Sequence, residues 1–135
     1  MTGIIRIDHV AITADDLVAT YTFYNELFGA EVVAEHVVEG KLLVRQIALG
    51  GAVLSIHQRG NNVKLVAKRP TPGAADICFR WAGTIGEALE LLKSKHIAVL
   101  EGPTPRRTAD LTPGESIFFR DPDGNLLELM AASRR

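Results

Sequence analysis

The chain has 135 residues, 47 % of them hydrophobic and 23 % charged, the profile of one folded domain with room for a core. With Lys+Arg 15 against Asp+Glu 16 and a formal charge of −1, it lacks the basic stripe that nucleic-acid binding needs; the pairs Lys68-Arg69, Arg106-Arg107 and Arg134-Arg135 are scattered. A single cysteine, Cys78, excludes an internal disulfide and a thiolate zinc site, so any metal must be held by His and carboxylates. The longest uncharged stretch, 46–58, is interrupted by Gly50-Gly51 and cannot cross a bilayer, and MTGIIRIDHV lacks the apolar core of a secretory signal. A soluble cytoplasmic protein with no membrane partner is the expectation.

In chain order, 4–13 (IIRIDHVAIT) alternates as a strand, with Val10 and Ile12 on one face and Ile7, His9 and Ala11 on the other. Asp15 or Asp16 caps a helix in which Leu17, Tyr21, Tyr24 and Phe28 recur at helical spacing, and Gly29 ends it. EVVAEHVV, LLVRQIAL, a Gly50-Gly51 turn and AVLSIHQ then read as antiparallel strands closing in a hairpin. The segment 59–73, rich in Gly, Asn and Pro, is a linker. Beyond it AADICFRW alternates again, Thr84 and Glu87 form a capping box, and Ile85, Ala88, Leu89 and Leu92 make the stripe of a second helix. IAVL is expected as a strand, 101–114 as a Pro- and Thr-rich loop, then SIFFR, the DPDG turn and NLLELMA as a closing hairpin.

The order of elements repeats, which predicts an α+β fold of two βαβββ modules, about 4–58 and 74–131, within one domain. Laying IDHVAIT on AADICFR sets His9 over Asp76, and laying residue 47 of the first hairpin on residue 118 of the second sets His57 over Glu128. Strand alternation turns all four away from the helix-covered faces. Carboxylates facing a partly dry cavity need a partner, and a divalent cation held by two imidazoles and two carboxylates provides one. Zinc, nickel, manganese, cobalt and iron(II) all suit this donor set. Taken singly, each residue also reads as a hydrogen-bonded core histidine or an ion-paired carboxylate.

IDHVAIT followed by DDLVATYTFYNELFGAEVV, and SIFFRDPDGNLLEL near the end, resemble the vicinal oxygen chelate superfamily of glyoxalases, extradiol dioxygenases and fosfomycin- and bleomycin-resistance proteins. RPTPGAADICF and GGAVLSIHQ are similar to its short, virulence-associated members. The resemblance implies two modules forming a cup, a homodimer, a small-molecule substrate and metal ligands at His9, His57 and Glu128. Asp76 stands where many members have His, and His57 where many have Glu or Gln. With Asp76 as a fourth ligand the implied enzyme is a glyoxalase-type lyase or isomerase acting on a vicinally oxygenated substrate, with Glu128 and Asp76 as candidate bases. Without Asp76 the remaining triad suits an iron(II) extradiol dioxygenase, and a metal-free drug- or metabolite-binding protein is the third reading. Arg80, Ser55, Cys78 and Met130 share the candidate face and are the expected substrate-binding residues.

Overall fold

The computed structural model describes residues 2–133, so the Arg134-Arg135 pair lies outside the described residues. The chain divides into two compact units between Ala74 and Ala75. The first holds β1 (Val10–Ala14), α1 (Leu17–Phe28), β2 (Glu31–Val38), β3 (Lys41–Leu49) and β4 (Ala52–Gln58). The second holds β5 (Asp76–Arg80), α2 (Ile85–Ser94), β6 (Glu101–Arg107), β7 (Pro113–Arg120) and β8 (Leu126–Ala132). Each unit is βαβββ, as the repeat predicts, with sheet orders β1-β4-β3-β2 and β5-β8-β7-β6. The first and last strands of each unit run parallel, and the remaining pairs are antiparallel. Among the described residues no helix is long and apolar enough to cross a membrane.

Local chemistry explains both helices. Asp16 caps α1 by accepting from the Ala19 N–H at 3.2 Å, and Gly29 ends it in the left-handed conformation (φ 68°), where its N–H reaches the Asn25 carbonyl. Leu17, Tyr24 and Leu27 of α1 are buried, and the helix lies on β1, β3 and β4. The sheet meets it with Ile12, Ala14, Ile47, Leu54 and Ile56. The Thr84–Glu87 capping box starts α2, whose Ala88 and Leu92 are buried. That helix lies on β7 and β8, which supply Ile117, Phe119, Leu127 and Leu129.

Two expected boundaries are corrected. The first strand begins at Val10 rather than at residue 4, and Ile4, Ile5 and Ile7 are exposed. Val10 pairs with Leu54, so Asp8 falls level with Ala52, the first residue of β4, and residues 4–7 run past the turn where no strand receives them. In the second unit the strand expected at 97–100 lies instead at Glu101–Arg107, inside the expected loop. Pro103 and Pro105 read as breakers in sequence, but β6 is an edge strand, where a missing N–H costs no ladder bond.

The DPDGN turn shows why the second unit closes where it does. Asp121 is buried, and its Oδ1 accepts from the N–H groups of Asp123 and Asn125, both at 3.0 Å. Its Oδ2 accepts from Asn125 Nδ2 at 2.7 Å, while Asn125 Oδ1 accepts from the Ala75 N–H at 2.9 Å. Asn125 therefore couples the start of β5 to the start of β8. Replacing it by Ala removes one hydrogen bond from the buried Asp121 carboxylate and the acceptor of the Ala75 N–H, so Asn125→Ala is expected to lower unfolding free energy by about 1–3 kcal/mol in urea titration.

Candidate functional site

In the first unit the face of the sheet away from α1 carries Ala11, Thr13, Val53, Ser55 and His57. The ladder sets Ala11 beside Ser55 and Thr13 beside His57, with Gln46 and Val44 on β3 beyond them. His9 immediately precedes β1, and its Nδ1 lies 2.8 Å from Asp8 Oδ1. That hydrogen bond, with the charges of His9 and Arg6, holds the Asp8 carboxyl below its ordinary range. His57 is half-buried, and Asn61 Nδ2 donates toward its Nδ1 at 3.4 Å. Burial, reinforced by the nearby charge of His9, holds His57 below the usual imidazole range.

A cavity of about 210 Å³ opens on this unit, lined by Ala34, Glu35, His36, Val44, Gln46 and Val63. Val44 is the ladder partner of both His36 and His57, so the cavity wall and His57 are neighbours across the sheet. His36, Gln46 and Asn61 escape the sequence reading. Bulges in β2 between Val32 and Ala34 and between His36 and Val37 break the alternation that assigns faces, and Asn61 lies in the segment read as a linker.

In the second unit Cys78 and Glu128 are ladder partners, Asp76 lies beside Leu126, and Arg80 beside Met130. Phe118 and Ser116 of β7 flank Glu128 and Met130. The Cys78 thiol is pushed up to about 11 by burial of the sulfur, then by the charge of Glu128 and their hydrogen bond and by the charge of Asp76; Arg80 opposes the shift. Arg80 also helps hold Asp110 down at about 2, after the dominant hydrogen bonds from Thr108 and Thr112. Ser116 Oγ is buried with no hydrogen-bond partner among the described residues.

The ladders correct one detail of the repeat. Glu128 stands beside Cys78, two residues beyond Asp76, and the residue beside Ala11, two beyond His9, is Ser55. Counted from His9 and Asp76, Ser55 is thus the counterpart of Glu128, whereas His57 corresponds to Met130, which lies beside Arg80. A single offset across the hairpins misses this because Gly50 and Gly51 alone separate β3 from β4, whereas 121–125 separate β7 from β8. His57, Asp76 and Glu128 lie on the expected face of their strands, whereas His9 precedes β1 and belongs to no strand. Among the described residues, no three His, Cys, Asp or Glu side chains gather closely enough to hold a metal ion. The structure brings His57 within electrostatic reach of His9 in one unit, and Cys78 within reach of Asp76 and Glu128 in the other.

Residues 6–129 match the model of the Glyoxalase/Bleomycin resistance protein/Dioxygenase superfamily. The chain belongs to this superfamily. It is 36 % identical over 126 residues to virulence protein STM3117 of Salmonella typhimurium, covering 92 % of this chain and 82 % of that protein. The crystal structure of STM3117 superposes with a TM-score of 0.85 at 32 % identity, covering 98 % of this chain and 100 % of the other. A glyoxalase domain-containing protein, RDO1 of Mycosarcoma maydis, is 37 % identical over 123 residues, 91 % of this chain and 66 % of RDO1. The fold extends to the fosfomycin resistance protein FosX of Listeria monocytogenes, solved in complex with Mn(II), at a TM-score of 0.65 and 22 % identity over 97 % of this chain and 93 % of FosX.

Two consequences are measurable. With the Cys78 thiol at about 11, iodoacetamide should modify it at pH 8 about 100-fold more slowly than an unperturbed thiol, and Glu128→Gln should speed the reaction. His57 has a folded-state pKa below its unfolded value of 6.5, so below that pH the unfolded chain binds the extra proton and stability falls with acid. Denaturation midpoints measured between pH 7.5 and 5 should fall more steeply in the wild type than in His57→Gln.

Proposed function

We propose that the chain is a divalent-metal-dependent enzyme of glyoxalase type, a lyase or isomerase for a small substrate with oxygens on neighbouring carbons. The observation that carries this reading is the Asp8–His9 contact of 2.8 Å. A carboxylate that accepts from Nδ1–H fixes the ring tautomer and leaves Nε2 as a lone-pair donor, the support that metal-bound histidines usually have. His9 in the first unit and Asp76 and Glu128 in the second carry the donor chemistry of this reading, and imidazole and carboxylate ligands suit zinc, manganese, nickel, cobalt or iron(II). The Mn(II) in FosX supports the metal class at the level of the fold.

When bound, the ion supplies a Lewis acid that polarises two adjacent substrate oxygens. The chain's own residues supply the remaining chemistry. Glu128, through a carboxylate oxygen not given to the ion, would take a proton from one of the two oxygenated carbons and return it to the other. Arg80, on the face shared with Cys78 and Glu128, holds an anionic substituent of the substrate. Cys78, beside Glu128 on the second unit's sheet, stays a neutral thiol at physiological pH and does not act as a nucleophile, while Ser55 in the first unit and Met130 in the second are candidate substrate contacts. The active form in this reading is a cytoplasmic homodimer, to be checked by light scattering of the eluting species.

Metal content per chain tests the reading, measured on untagged protein purified without oxygen. The wild type should carry near-stoichiometric metal, lost in His9→Ala, Asp76→Ala and Glu128→Ala. Iron retained in Asp76→Ala but lost in Glu128→Ala would favour the extradiol dioxygenase. No metal after reconstitution with each ion would leave a binding protein of the bleomycin-resistance type.

A further inference from the structure

The two histidines of the first unit are held in opposite ways. His9 Nδ1 faces a carboxylate, which only accepts, whereas His57 Nδ1 faces the side-chain nitrogen of Asn61, which only donates. The orientation of the Asn61 amide is set by two further bonds. Its Nδ2 donates to the Leu43 carbonyl at 3.0 Å, and its Oδ1 accepts from the Val63 N–H at 3.0 Å. Turning the amide over would set NH₂ against N–H at Val63 and oxygen against oxygen at Leu43. The second amide hydrogen is therefore committed to His57, whose Nδ1 must present its lone pair and whose Nε2 must carry the hydrogen.

We propose that His57 is a hydrogen-bond donor to a substrate oxygen rather than a metal ligand, and that Asn61 is the positioning residue that sets it so. An Nε2–H cannot coordinate a cation, whereas it can donate to the carbonyl, hydroxyl or carboxylate oxygen of a vicinally oxygenated ligand. The ladder agrees independently, since Ser55 and not His57 occupies the place equivalent to Glu128. The inference rests on the metal-enzyme reading for the identity of the acceptor, but the tautomer of His57 is a property of the protein alone.

The test is a two-bond proton–nitrogen correlation spectrum of ¹⁵N-histidine-labelled protein above pH 7.5, followed by titration with zinc. The metal-free wild type should show Nε2–H at His57 and Nδ1–H at His9. Asn61→Asp, which offers an acceptor in place of the donor, should reverse His57 to Nδ1–H, and Asn61→Ala should give a mixture. Zinc should move His9 alone to the metal-bound pattern. His57→Gln, which keeps an N–H donor, should hold zinc affinity within about threefold, whereas His9→Gln should lower it by about 100-fold or more. The wild-type spectrum requires no variant to fold, and Nδ1–H at His57 there would overturn the proposal. Zinc shifting both imidazoles would overturn it while leaving the metal enzyme standing. Zinc shifting neither would remove the metal enzyme, while an Nε2–H that reverses in Asn61→Asp would still support His57 as a donor set by Asn61.

Discussion

The parallel pairing of the first and last strands in each unit is the constraint on which the candidate site depends. An αβ connection that returns the chain over the sheet puts β1 beside β4 and β5 beside β8, and α1 and α2 cover one face of each sheet. Side chains on these central pairs then sort by parity alone. Ile12, Leu54 and Ile56, and Leu127 and Leu129, go under the helices, which leaves Ser55 and His57, and Cys78 and Glu128, on the other side. The candidate residues lie on the faces that the helices do not cover.

Polar side chains on those faces are made specific by their immediate neighbours. Asp8 and Asn61 impose opposite hydrogen-bond demands on two imidazoles that composition treats as identical. In the second unit Cys78 lies against Glu128 and within reach of Asp76, and partial desolvation of the sulfur together with this negative charge raises the thiol to about 11 even though the residue is exposed. Arg80 supplies the compensating positive charge on the same strand. In the second unit, then, Asp76, Cys78 and Arg80 of one strand and Glu128 of its neighbour form a mixed-charge cluster in which the thiol is held protonated.

Much of the architecture was legible in the residues because its causes are local. Asp16, Gly29, Thr84 and Glu87 act within one turn of their own helices, and the Gly50-Gly51 turn acts within its own hairpin. The faces of β4, β5 and β8 follow from alternation, which is a property of the strand itself. The extent of β1 was not legible, because it stops where its partner β4 stops and not where its own alternation stops. The strand at Glu101–Arg107 was hidden for a similar reason: two prolines are tolerated only because the strand lies at the sheet's edge.

By itself, then, the sequence determined the two βαβββ repeats, the helix ends, the superfamily, and the face on which His57, Asp76 and Glu128 lie, all of which depend on spacing along the chain. Tertiary structure alone decided which residues stand side by side. Ladder register placed Glu128 beside Cys78 and Ser55 beside Ala11, and a loop read as a linker returned Asn61 to His57. Register depends on the length of the intervening turn, and a hydrogen bond depends on ångström-scale approach between segments, and neither quantity is written in the periodicity of either strand.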